Sequence, residues 1–149
     1  MNKKQKQILA NFAVVIVVTI AAVIGMIELK NQVNRSEAMR SMEQLEQAIS
    51  DYRQKNGSVP PETYVKGLRE KLEGQVRMGN LHYRAQWIGF DSTPETILAY
   101  VKKDYHSLFS HSGAIIIRLD GRVEWLDKGD FDKLPIRQQS AIEYEMAPK

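Results

Sequence analysis

Between Gln7 and Ile27 this chain carries no charged side chain, and the stretch from Ile8 to Ile27 is an almost unbroken apolar run. A run of about twenty such residues spans the hydrocarbon core of a bilayer when helical. Only Asn11 and Thr19 bring polar side chains into it. A helix satisfies its own backbone amides, so the segment can lie in lipid at little cost. Lys3, Lys4 and Lys6 precede it, whereas Glu28, Lys30, Arg35 and Glu37 beyond it cancel. That asymmetry predicts a cytoplasmic amino terminus, with the rest of the chain outside the cytoplasm. A cleaved secretory signal has a shorter apolar core and an Ala-x-Ala-like cut site; Val23-Ile24-Gly25 is a poor version of one, and an uncut anchor is the expectation.

The three amino-terminal lysines also account for the chain's basic character. The 21 basic groups otherwise match the 18 acidic ones in number, so the pI near 9.1 belongs to the tail. A nucleic-acid binder concentrates basic residues on one face or stripe, and no such stripe is present. The chain contains no cysteine, which removes disulfides, thiolate metal sites and cysteine nucleophiles together.

Past the anchor, Leu29, Val33, Met42, Leu45, Ile49 and Tyr52 recur at three- and four-residue steps, with Arg40, Glu43, Glu46, Gln47 and Arg53 on other faces. No Gly or Pro falls between Gly25 and Lys55, so anchor and amphipathic segment read as one rod. Asn56-Gly57 supplies its left-handed stop, and Pro60-Pro61 prevents resumption. Such a rod of about 48 residues is on the order of 70 Å long. Its apolar stripe is too short for the three heptads that a coiled coil wants, which favours packing on the protein's own sheet.

A second short helix opens at Pro61-Glu62, with Tyr64, Val65, Leu68 and Leu72 at helical spacing, and closes near Gly74. Strands are predicted at Leu81–Trp87, Thr96–Val101, Ala114–Leu119 and Arg122–Leu126. Asp120-Gly121 lies between the last two and predicts a two-residue hairpin turn with positive φ at both positions. On the final strand Val123 and Trp125 share one face, and Arg122, Glu124 and Leu126 the other. A further helix is predicted over Asp130–Ile142, interrupted by Pro135. The fold class is therefore α+β: a long amino-terminal helix packed on a small, mainly antiparallel sheet. The organisation is a basic cytoplasmic tail (1–7), a transmembrane helix (8–27), an amphipathic continuation (28–56) and an extracytoplasmic head (57–149).

The apolar helix that runs into Leu45-Glu-Gln-Ala48-Ile-Ser-Asp-Tyr52-Arg-Gln-Lys-Asn56-Gly57-Ser-Val-Pro60 resembles the type IV pilin and type II secretion pseudopilin family. In major pseudopilins a Leu-x-x-Ala-x-x-x-Tyr run leads likewise to Asn-Gly-x-x-Pro. The stretch from Ile97 through His106, His111, Gly113, Asp120, Gly121 and Trp125 to Leu126 is similar to the carboxy-terminal part of pilin-like proteins abundant in planctomycetes. The front departs from the pattern: Asn11 precedes Phe12 where prepilins have Gly, and Ile16 stands where their fifth mature residue is Glu. The resemblance implies a pilin-like fold and a non-enzymatic structural subunit in the bacterial inner membrane, with a periplasmic head. Its implied partners are the membrane and other pilin-like or secretion-system subunits, including copies of itself. A solitary membrane-tethered binding module is the alternative. The residues that carry the resemblance, Asn56, Gly57, Pro60, His111, Gly113, Asp120, Gly121 and Trp125, take structural roles on this reading, with His111 bonding backbone where the chain enters the hairpin.

Sites with chemistry of their own are sparse. His82, His106 and His111 lack the close spacing of helix- or strand-borne metal ligands and read as structural or surface residues. Asp127, Asp130 and Asp132 gather around Gly129, and oxygen-rich loops of this kind bind calcium, as a loop near the carboxy end does in major pseudopilins. The further ligands of a full calcium loop, ending in a bidentate Glu, are absent, so acids decorating a helix amino terminus are favoured over a calcium site and no cofactor is expected. Ser107, Ser110 and His111 lie close together, but the sequence has no Gly-x-Ser-x-Gly elbow, Walker loop or Rossmann glycine pattern. Neither an enzyme nor a small-molecule substrate is indicated; an anchored hydrolase using His111 is the least favoured reading.

Overall fold

A computed structural model of the protein describes residues 2–72, 75–89, 91–105, 107 and 109–138. Helix α1 is continuous from Lys3 to Asn56, so the basic tail is part of the rod, which is about 80 Å long at helical rise. Gly57 ends it in the left-handed region at φ 69°, donating its N–H to the Arg53 carbonyl at 2.8 Å. Helix α2 (Glu62–Arg69), a single turn α3 (Gln75–Met78), strands β1 (Leu81–Tyr83), β2 (Ile97–Lys103), β3 (Gly113–Arg118) and β4 (Val123–Asp127), and helix α4 (Lys128–Gln138) follow. The strands form one antiparallel meander in the order β1-β2-β3-β4. The protein is thus α+β, as its residue pattern predicts.

The long helix builds the core with only part of its length. Ala38, Met42, Leu45 and Ile49 are buried against Ala99 and Val101 of β2 and Ile115 and Ile117 of β3, with Val65 and Met78 closing the edge. Each large side chain moved out of water here contributes about 1.5–3 kcal/mol. Upstream the helix leaves the head altogether: an 18-residue window of mean hydropathy 2.7 has none of its residues buried. By length and composition α1 can cross a membrane. Leu29 and Val33, expected on the buried stripe, are 62% and 41% exposed. Stepping back from Met42 by threes and fours along the buried face reaches Ala38, Arg35, Asn31 and Glu28, not Val33 or Leu29.

The opposite sheet face is covered as well. Ile97, Tyr100, Ala114 and Ile116 pack with Phe131 of α4 in a second cluster, which Leu126 and Leu134 border. Pro135 does not stop α4, which continues to Gln138; the predicted extension to Ile142 and the predicted close of α2 near Gly74 lie outside the described residues. A bulge between Ile97 and Ala99 sets Leu98 and Ala99 both into the α1-side core, where strict alternation would send one of them to the other face.

Two local predictions are corrected. The strand foreseen over Leu81–Trp87 ends at Tyr83, and Ala85–Trp87 is a 3₁₀ turn. Arg84 is the cause: it is 4% exposed, its N–H reaches the Leu98 carbonyl at 2.8 Å and its guanidinium donates to the Ile97 carbonyl at 2.9 Å. Satisfying that buried cation turns the chain out of the strand. The hairpin is also longer by one residue. Only Gly121 has positive φ (89°), Gly121 N–H bonds the Arg118 carbonyl and Arg118 N–H bonds the Arg122 carbonyl, so Leu119-Asp120-Gly121 is a three-residue loop whose last residue is left-handed. Asp120 accepts the Arg122 N–H at 3.0 Å and its guanidinium at 2.7 Å, which stabilises the turn without left-handed backbone at Asp120.

Two glycines should respond oppositely to alanine. A Cβ at Gly113 would collide with the Leu126 carbonyl oxygen and lie 2.6 Å from the Trp125 ring, whereas at Gly67, inside α2, it meets nothing within 4 Å. Gly113→Ala is expected to cost about 1–3 kcal/mol through overpacking, and Gly67→Ala to stabilise by roughly 0.5–1 kcal/mol through helix propensity. Thermal unfolding of the two purified variants beside the parent checks both signs.

Candidate functional site

The part of α1 between the apolar run and the core is polar on the side facing the head. Glu28, Asn31, Gln32 and Arg35 recur at helical spacing and line a cleft of about 270 Å³ closed by Tyr105, Phe109, Ser110, His111 and Asp127. These residues form the junction between the membrane-length segment and the folded head.

Glu28 is its fixed point. The carboxylate accepts the Phe109 N–H at 3.2 Å and the Ser110 hydroxyl. Ser110 in turn donates its N–H to Ser107 Oγ at 3.0 Å, which folds this turn on itself. The Ser110 hydroxyl foremost, then Ser107, the Phe109 amide and the charge of His111, hold the Glu28 carboxyl below its ordinary value, against the opposing effect of desolvation. A carboxylate kept anionic by so many donors is a hydrogen-bond acceptor and a poor proton abstractor at neutral pH. The base of the same loop is stapled by Ser112, whose hydroxyl takes the Tyr105 N–H at 2.9 Å.

Two helical turns up, Arg35 lies 4.0 Å from the centroid of the Trp125 ring, and Tyr105 stacks on the same ring at 6.3 Å. The Trp125 indole N–H donates to Asp127 at 3.0 Å. Burial pushes the Tyr105 phenol up, with the Arg35 charge opposing. The junction therefore joins helix, loop and last strand through one carboxylate clamp and one cation–aromatic stack.

The residues singled out in the sequence fall in separate places. His111 lines the junction cleft and Trp125 joins the junction through Arg35 and Tyr105; Gly113 begins β3 directly beneath Trp125. Asp120 and Gly121 form the hairpin loop beside Glu46. Asn56, Gly57 and Pro60 end the rod at the far pole, where the Asn56 amide donates to the Tyr52 carbonyl at 2.9 Å and the Pro60 carbonyl accepts the Tyr83 hydroxyl at 2.8 Å. His82 stacks on Tyr100 with centroids 4.8 Å apart, and burial, aided by Lys102, lowers its pKa. His106 lies outside the described residues. The three acids around Gly129 are not brought together: Asp127 accepts the Trp125 indole, Asp130 pairs with Lys133 at 3.4 Å, and among the described residues no cluster of three metal-ligating side chains occurs. Glu28, Arg35 and Phe109 were not foreseen as a unit. Backward extension of the Met42-Leu45-Ile49 spacing would have flagged Glu28 and Arg35, but no pattern in the sequence marks Phe109.

Fold and junction together define an α+β protein whose head is clamped to a helix of membrane-spanning length. Comparison with known protein families, with curated proteins and with solved structures returns no match to this chain.

The clamp has a definite pH dependence. Because the folded-state pKa of Glu28 lies below the ordinary 4.5, the clamp is at full strength above that value and is lost as pH falls through the lower folded one. Amide exchange at Phe109 and Ser110 should accelerate on acidification through this window while β3 amides stay protected. In Glu28→Ala both amides should exchange rapidly at every pH.

Proposed function

We propose that this chain is a membrane-anchored, non-enzymatic structural subunit of a pilin-like or type II secretion pseudopilin-like envelope assembly, with a periplasmic head. The observation that carries this reading is the division of labour along one unbroken helix: its first half holds an apolar stretch of membrane length with no buried residue, and its second half is the spine of the head's core. A helix exposed on all sides over membrane length needs lipid or other helices around it. The residue resemblance at the rod's end and through the hairpin supports the same reading. The lysines at positions 3, 4 and 6 support an orientation with the amino terminus in the cytoplasm.

A solitary tethered module with the same fold is the second reading, and Ile16 favours it, since pilin filaments rely on a Glu at that place. Exposed Val33 separates the two. In a chain with no native cysteine, Val33→Cys reports on neighbours without background. A subunit should form disulfide-linked dimers or crosslink to other secretion components in membranes, and a solitary module should remain monomeric. Alkaline carbonate should leave the protein in the membrane pellet, and a reporter fused after Lys149 should be active only outside the cytoplasm. Release by carbonate, or a cytosolic reporter, would refute the anchored reading itself.

A further inference from the structure

Phe109 is a large aromatic side chain that the head's own core does not use. It is 70% exposed and belongs to neither apolar cluster. Exposed apolar residues are common on folded surfaces, so exposure alone says little; the position is what distinguishes this one. The Phe109 amide is bonded to Glu28, and Glu28 is the first residue after the apolar run closes at Ile27. One residue of helix is about 1.5 Å of rise. If Ile8–Ile27 fills the hydrocarbon core, Glu28 sits at its edge and the backbone of Phe109 sits beside it.

We infer that the turn bearing Phe109 is a second membrane contact, with its phenyl ring seated at the boundary between acyl chains and headgroups. This rests on the membrane-spanning reading of α1. The chemistry around the ring suits such a boundary. Among the described residues beside Phe109, the Ser107 and Ser110 hydroxyls and the Phe109 and Ser110 amides bond within the turn or to Glu28. Donors paired in this way can approach a low-dielectric region at reduced cost. Trp and Tyr gather at membrane interfaces because their rings join an apolar body to a polar tip; at Phe109 the ring is the apolar part and the serines and Glu28 beside it are the polar part. Exposed Lys30, two residues beyond Glu28, is placed to reach lipid phosphates.

The consequence is orientational. A single helix through a bilayer leaves its head free to swivel about the helix axis and to tilt with it. A second contact on one side of the helix, held by Glu28, fixes which face of the head looks toward the membrane and which is presented to partners.

The absence of cysteine allows a direct test on the full chain in nanodiscs of phosphatidylcholine and phosphatidylglycerol. Single nitroxide labels are placed by Val18→Cys, Phe109→Cys and Tyr64→Cys, and their collisions with oxygen and with a water-soluble nickel chelate are compared. The label at 18 should be reached by oxygen alone, that at 64 freely by the chelate, and that at 109 should lose most of its chelate collisions relative to 64. Adding Glu28→Ala should restore them. Phe109→Trp keeps an aromatic ring and should be quenched by lipids brominated near the headgroup, above the background of native Trp87 and Trp125. A label at 109 as accessible as that at 64, or no added quenching of the new Trp, overturns the proposal while the anchor stands. Chelate access at 18 overturns the anchor reading. Spin–spin broadening at 109 in discs holding two copies would instead make the occupant a second chain, and would equally overturn a lipid seat.

Discussion

The core of the head depends on one stripe of α1, Ala38-Met42-Leu45-Ile49, packed against the β2–β3 pair. The sheet is small, and β1 contributes only three residues to it. A meander of this size is stabilised by burying a hydrophobic face, and α1 closes that face here. The helix is equally dependent on the sheet, because most of a helix's stability in a protein comes from packing its apolar face, here along those four residues. Gly113 belongs to the same constraint: the absent Cβ lets the Leu126 carbonyl and Trp125 ring close down on the start of β3.

The same helical face changes chemistry where it leaves the core. From Ala38 toward the apolar run, the positions that continue the buried stripe are Arg35, Asn31 and Glu28, and they meet a loop and an aromatic ring instead of a sheet. Cation–aromatic and carboxylate–amide contacts tolerate water, so this junction can stay ordered at a wet boundary where an apolar seam would compete with lipid. The order of side chains along α1 thus reads as three environments in sequence: lipid-compatible, polar clamp, protein core. A rod built this way transmits the orientation of its membrane-length apolar segment to the head without a flexible linker.

The polarity of the two sheet faces adds a further feature. With α4 laid over Ile97, Tyr100, Ala114 and Ile116, the sheet is a middle layer and not an outer wall. Lys102 lies 5.6 Å from the Phe131 ring, and His82 stacks on Tyr100 at the margin of this second cluster. Burial, with the Lys102 charge beside it, lowers the His82 pKa and disfavours imidazolium at this margin of the head.

What could be read without coordinates was whatever rests on local periodicity. A charge-free, almost wholly apolar run from Ile8 to Ile27, a Gly-ended helix, β-branched runs and an Asp-Gly hairpin are signals carried by neighbours in the chain, and each marks an element that is present. What could not be read rests on contacts between residues far apart. Arg84 ends β1 because the carbonyl waiting for it belongs to Ile97; a run of alternating residues gives no notice of that. Leu98 changes faces through a bulge that depends on pairing with β3. The hairpin gains a third loop residue because β3 and β4 pair one position short of the two-residue register. Glu28 became a clamp because the fold returns Phe109 and Ser110 to it from 81 and 82 residues away. Helical and strand periods fix which side chains share a face, since backbone geometry repeats with the chain. Which partner that face meets is set only when distant segments close on one another.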